Sequence, residues 1–170
     1  LRDHVHGRIY RVTYPSRPLV VPALINGAST ERLLDNLKLP EYRTRYRSRR
    51  ALRGQETELV SEALKVWVAN LDPNDQLYDH HLLEALWVSW GNNQIDLDLL
   101  EEVFYSKNYR LRAAAVQVMR HMNVQIPQSE EWLIEAGSDV HSQVRLEALV
   151  AASWFDEKVA QKVLSAVAPL

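Results

Sequence analysis

The chain contains no cysteine among its 170 residues. That excludes disulfides, thiolate metal sites, a cysteine nucleophile and a covalently attached c-type haem within it. Glycine is scarce, at 5 residues, and there is no Gly-rich dinucleotide turn, Walker loop, nucleophile elbow or His-Glu-x-x-His helix. No apolar run approaches the length of a membrane-spanning helix. No methionine or leader-like pattern stands at Leu1, so the sequence reads as a segment of a longer protein.

What is present is the make-up of one soluble domain, with 46% hydrophobic and 25% charged residues and a formal net charge of -2. The charge is unevenly placed. From Leu1 to Arg53 there are twelve basic residues against four acidic ones, a net of +8; from Gly54 to Leu170 there are eight against eighteen, a net of -10. Such asymmetry points to different partners for the two parts.

The stretch from Leu1 to Ala28 differs from the rest. Arg8 to Tyr14 alternates in the manner of a strand, with Tyr10, Val12 and Tyr14 on one face. Pro15, Pro18 and Pro22 then hold the chain extended. A lone strand is unstable, so this one is expected to join a sheet outside the segment. From Ser29 the pattern is helical throughout, near 29–38, 42–53, 57–71, 78–90, 96–105, 109–122, 129–137, 142–155 and 157–167. Pro40, Gly54, Asp72-Pro73-Asn74-Asp75, Gly91-Asn92-Asn93, Pro127 and Gly137-Ser138-Asp139 supply the breaks. Ser29, Ser129, Ser142 and Asp156 stand at expected N-caps.

Val144, Ala148, Ala151, Ala152 and Phe155 share one helical face, as do Leu111, Ala115, Val118, Met119 and Met122. Arg112 and Arg145 each follow the first member of their set, one repeat length apart. A similar step back reaches His80, with Leu83, Leu86, Trp87 and Trp90 on the matching face; a further one reaches Arg47 and the scarcely apolar Tyr46, Arg50 and Arg53. A two-helix repeat of about 33 residues is the signature of an α-solenoid, whose terminal repeats are atypical. The expected fold is therefore all-α: about four helix pairs plus one helix over 29–170, preceded by an extended or β arm over 1–28.

The run Asp139-Val140-His141-Ser142-Gln143-Val144-Arg145-Leu146-Glu147-Ala148 resembles the second helix of a HEAT repeat, and Tyr109-Arg110-Leu111-Arg112-Ala113-Ala114-Ala115 is similar to it. That resemblance implies polar contacts between adjacent repeats through Asp139, Arg112 and Arg145.

Three groups of residues are candidates for function. Arg43, Arg45, Arg47, Arg49, Arg50 and Arg53 lie close together in the sequence, with Tyr42 and Tyr46 among them. They suit a phosphate-binding surface, a solvated helix laying aliphatic stems on the core, or a docking face for an acidic domain. The -10 remainder weighs against nucleic acid. Asp3, His4 and His6 could begin a metal site, but no further ligand stands at a supporting spacing. Trp67, Trp87, Trp90, Trp132 and Trp154 could line an aromatic pocket, yet Trp87 and Trp90 read more simply as core filling. Glu101-Glu102 and Glu130-Glu131 read as first-turn carboxylates that favour the helix dipole.

A second resemblance covers nearly the whole chain. Asp3-His4-Val5-His6-Gly7-Arg8-Ile9-Tyr10-Arg11-Val12 resembles the closing strand of a glucose/sorbosone-dehydrogenase-type β-propeller. Thr13 to Leu19, Asn36-Leu37, Arg43 to Arg53 and His80-His81-Leu82-Leu83-Glu84-Ala85-Leu86-Trp87 extend the match. Together they are similar to the PVC-type membrane-bound dehydrogenases, also described as haem-binding domain proteins. That family joins a propeller, HEAT repeats and a c-type cytochrome. The resemblance implies an exported, extracytoplasmic parent acting on sugars or aldoses, with this chain as the non-catalytic connector between its neighbouring domains. It carries no catalytic, cofactor-binding or metal residue onto this segment. The expected interaction face is Arg43, Arg47, Arg49, Arg50 and Arg53; the alternative is a DNA-glycosylase-like HEAT protein that uses the same cluster on nucleic acid.

Overall fold

The computed structural model of the chain describes residues 7, 10–16 and 18–168. Among them the regular structure is entirely helical. The α-helices are α1 (Thr30–Asp35), α2 (Tyr42–Arg53), α3 (Thr57–Ala69), α4 (Tyr78–Gly91), α5 (Leu97–Phe104), α6 (Tyr109–Met122), α7 (Ser129–Gly137), α8 (Ser142–Ala152) and α9 (Glu157–Val167). Short 3-10 turns follow α1 and α6.

The helix boundaries follow local chemistry. Ser29, Asp96, Asn108 and Asp156 cap α1, α5, α6 and α9 through side-chain oxygens that accept backbone N–H groups. Two expected caps are displaced by one residue. His141, not Ser142, caps α8, its Nδ1 accepting the Gln143 N–H at 3.2 Å. Ser129 is the first residue of α7, and its hydroxyl donates back to the Asn123 carbonyl at 3.4 Å. The Asp72 turn closes as expected, with Oδ1 accepting the Asn74 N–H at 2.9 Å.

The expected strand has no counterpart among the described residues; Arg8 and Ile9 lie outside them. Tyr10, Val12 and Tyr14 are all exposed. The stretch just before α1 is tied down. Asn36, itself buried, donates from Nδ2 to the Leu24 carbonyl at 2.9 Å, and Ile25 and Ala28 pack on the core.

α1 lies against α2 and α3, α3 against α4, and α5 against α4 and α6. α7 lies against α6 and α8, and α9 against α7 and α8. The even-numbered helices α2, α4, α6 and α8 pack in succession, each on the next. These helices carry one recurring row: Thr44, Ser48, Ala51 and Leu52; Tyr78, Leu82, Ala85 and Leu86; Leu111, Ala115, Val118 and Met119; Val144, Ala148, Ala151 and Ala152. All of these are buried except Ala51 and Tyr78, which are half-buried. The first members of the rows, Thr44, Tyr78, Leu111 and Val144, keep a nearly constant step. Alanine, serine or threonine fills half of the row positions, and small side chains let neighbouring helices approach closely.

This register corrects the expected one in two places. In α4 the row is not Leu83, Leu86, Trp87 and Trp90: only Leu86 of that set is buried. α4 packs on α2, α3, α5 and α6 and is apolar around most of its girth, so periodicity alone could not fix its orientation. In α2 the counterpart of Arg112 is Arg45, not Arg47, while Tyr46, Arg50 and Arg53 are exposed. The α2 row is small and weakly polar, so it left no apolar stripe to read.

Ser48 is the odd member of the row. It is 0% exposed and its hydroxyl has no hydrogen-bond partner, whereas Ala115 and Ala148 hold the same place in later copies. An unsatisfied buried hydroxyl costs stability. Ser48→Ala should therefore raise unfolding stability by about 1 kcal/mol in urea denaturation; a loss of stability would contradict this packing.

Candidate functional site

α2 places six arginines on two sides of one helix. Residues four apart share a side, which puts Arg45, Arg49 and Arg53 together and sends Arg43, Arg47 and Arg50 elsewhere. The first group meets α4. Glu84, 4% exposed, accepts from Arg45 Nε at 2.9 Å and from Arg49 Nη1. His80 Nε2 lies 3.7 Å from the same carboxylate. Arg45 Nη1 also donates to the Leu39 and Pro40 carbonyls at 2.8 and 2.7 Å. Arg53 Nε donates to the Gly91 carbonyl, at the end of α4, at 2.9 Å. A buried carboxylate thus fixes two guanidinium groups, and α4's last turn fixes a third.

The second group does different things. Arg43 and Arg47 line a cavity of about 340 Å³ together with Val20, Pro22, Ala23 and Ile25 of the arm. The Arg50 guanidinium sits 5.9 Å over the Tyr46 ring. The expected interaction face therefore divides. Arg49 and Arg53 belong to the α2–α4 junction, whereas Arg43 and Arg47 border the arm.

An open groove of about 710 Å³ runs between α2, α4 and α6. Tyr42, Arg49 and Arg53 form one wall, while Trp87, Trp90 and Gln117 form the other. Trp87 and Trp90 are half-buried rather than enclosed, with ring centroids 5.7 Å apart. The aromatic row continues beyond the groove. His121 stacks on Trp90 at 5.3 Å and meets the exposed Trp154 edge-on at 5.1 Å. Arg120 donates from Nε to His121 Nε2 at 3.1 Å, so that nitrogen is the acceptor of the ring. Trp132, by contrast, is buried against Phe104.

The other predicted polar residues form a second centre. Arg112 Nε and Nη2 donate to the two Asp139 oxygens at 2.6 and 2.9 Å, tying α6 to the turn before α8. Its Nη1 donates to the Ser106 and Lys107 carbonyls at 2.9 and 3.1 Å. Arg145 repeats the backbone part alone, from Nη1 to the Asp139 and Val140 carbonyls at 2.8 and 3.1 Å. Arg45, Arg112 and Arg145 thus each donate to two successive carbonyls in the turn before their own helix. In α4 that place belongs to Asp79, which accepts from Asn108 Nδ2 at 2.9 Å. Sequence reasoning missed the pairing of Arg45 with Glu84. The available signal was spacing, since Arg45 stands as far before Asp79 as Thr44 does before Tyr78.

Burial pushes the Asp139 carboxyl up, but the Arg112 bonds and the His141 N–H outweigh it and hold it below the usual range. Burial pushes His81 down, only partly opposed by Asp75, whose Oδ2 lies 3.9 Å from Nδ1. The His81 Nε2 is buried without a partner, which suits the neutral ring. Burial and a 2.7 Å bond to Glu102 push the Tyr78 hydroxyl up to about 12. Glu102 stands well inside α5 rather than in its first turn. Among the described residues no group of three His, Asp or Glu side chains could hold a metal ion, and no helix is long and apolar enough to cross a membrane. Asp3, His4 and His6 lie outside the described residues.

No family model matches the chain, and comparison with curated proteins and with solved structures finds no match.

The lowered Asp139 value gives a signed expectation. A carboxyl whose folded value is depressed adds stability above its ordinary range near 3.8, lost as pH falls through the folded value. Asp139→Asn should cost about 2 kcal/mol at neutral pH, with the gap to the unaltered protein closing as pH falls below about 4. His81 loses stability on acidification in both proteins, so it cancels in the difference. A gap constant from about pH 7 to about pH 3 in urea titrations would contradict the ion pair.

Proposed function

We propose that the chain is a HEAT-like α-solenoid that acts as a non-catalytic scaffold. The observation that carries this reading is the buried row that recurs at a nearly constant step on helices packed in succession. Repeats that contact chiefly their neighbours build an extended surface suited to holding other domains at a fixed spacing. The Arg112–Asp139 pair and the shared backbone bonds of Arg45, Arg112 and Arg145 stiffen the turns before α2, α6 and α8.

The resemblance to PVC-type membrane-bound dehydrogenases supplies the domains to be held. In this reading the 1–28 arm leads out of a β-propeller, the repeats begin at Ser29, and a c-type cytochrome follows, in an extracytoplasmic parent that oxidises sugars or aldoses. The Arg43 to Arg53 helix faces the neighbouring domain.

A nucleic-acid-binding role is the competing reading of the same helix. It is weakened by the engagement of Arg45 and Arg49 with Glu84 and of Arg53 with Gly91. Arg43, Arg47 and Arg50 remain, against a following portion of -10.

Cross-linking of the longer protein by mass spectrometry tests the scaffold. Links from the repeats, including the α2 end, to both flanking domains are expected. Links confined to residues 1–28 would contradict it. In gel shifts at about 50 mM salt, where phosphate contacts are strongest, neither DNA nor RNA should be retarded.

A further inference from the structure

The groove between α2, α4 and α6 has the parts of a binding site that neither the repeat architecture nor the resemblance requires. Its volume, about 710 Å³, falls among those of small-ligand and peptide sites. Its cationic wall is pre-set. Arg49 spends one nitrogen on the buried Glu84 and Arg53 spends one on the Gly91 carbonyl, which leaves the remaining N–H donors of both at the groove. Arg50 adds a further charge in the adjoining cavity of about 320 Å³, which shares Tyr42, Arg49, Arg53, Trp87 and Gly91 with the main groove. Three guanidinium groups against one carboxylate, from Arg45, Arg49, Arg53 and Glu84, leave the main groove with a charge of +2. The opposite wall is apolar, where Trp87 and Trp90 present half-buried rings.

We propose that this groove binds a short acidic peptide segment, two or more carboxylates flanking an aromatic or large aliphatic side chain. Planar guanidinium edges match carboxylates in a two-point fork, and side chains already held in place lose little entropy when they bind. The indole rings take the apolar side chain, as aromatic anchors do at peptide interfaces. A phosphodiester chain would use the same donors locally. It would then have to run on over a protein whose later portion carries -10, whereas a short segment ends within the groove. The inference deepens the partner-binding side of the scaffold reading by naming the chemistry of what docks. It does not depend on a propeller or a cytochrome being that partner.

The test is an NMR titration of the five tryptophan indole N–H signals of the whole chain. The probe is the capped tetrapeptide Glu-Phe-Glu-Glu at about 50 mM salt; capped Lys-Phe-Lys-Lys and a ten-nucleotide oligothymidine serve as comparisons. Saturable shifts of the Trp87 and Trp90 signals with the acidic peptide alone are expected, while the buried Trp67 and Trp132 stay in place. The double variant Arg50→Gln/Arg53→Gln alters exposed residues that do not touch Glu84, and should weaken binding about tenfold. Trp87→Leu should weaken it independently of charge. Overturning results would be no saturation, shifts confined to other tryptophans, equal or tighter binding of the oligothymidine or the lysine peptide, or undiminished affinity in the double variant. Failure of the peptide would leave the cross-links between the repeats and flanking domains unaffected, so the two readings fail separately.

Discussion

Glu84 is the residue on which the basic end of this protein depends. It sits in α4, almost sealed from solvent, and an isolated carboxylate there would be costly. Arg45 and Arg49 make it tolerable, and in doing so they dock α2 on α4. Without that pairing α2 would bury only Thr44, Ser48 and a single leucine, Leu52, thin apolar burial for a three-turn helix. The later junctions differ in kind. α6 and α8 pack on each other and bury Ala115, Val118, Met119, Val144 and Ala148, so there the Arg112–Asp139 pair supplements packing rather than replacing it.

The same arrangement changes what the arginine-rich helix means. Six arginines between Arg43 and Arg53 look like a surface awaiting phosphate. Three of them are already spoken for inside the molecule, two by Glu84 and one by the end of α4. Two more border the arm. What the helix presents outward is therefore narrower and better organised than its composition suggests: guanidinium edges beside a pair of indoles, at the mouth of one groove.

Much of the fold was legible in the sequence, and the failures have physical causes. Helix positions could be read because the breakers are strong: Pro40, Gly54, Pro73 and Pro127 interrupt otherwise continuous helical patterns. The α6 and α8 rows were readable because each is apolar on one side. α4 is covered on several sides, so its apolar residues do not single out one face, and the repeat was placed one residue out of register at His80 instead of Asp79. That slip, together with a second residue lost in the next step back, led to Arg47 in α2 and hid Arg45. Asp139, Arg112 and Arg145 each stand out in a local pattern, but the pattern did not say which would pair; the structure joins Arg112 to Asp139. Glu84 belongs to no local pattern; its partners stand a full repeat earlier, and only the packing of α2 on α4 brings them together. Trp87 and Trp90 do pack against the core, but half-buried, and they also line the groove, which is a property of two helices rather than one.

The central claim is that α2 is anchored by Glu84 rather than displayed for an outside anion. A double-mutant cycle of Arg49→Gln and Glu84→Gln, read by urea denaturation, tests it most directly. An anchoring pair predicts a coupling of about 1 to 3 kcal/mol, with the double variant less destabilised than the two single costs combined. A coupling indistinguishable from zero would mean that the arginine-rich helix is not held by this carboxylate, and the account of the groove's organisation would fall with it.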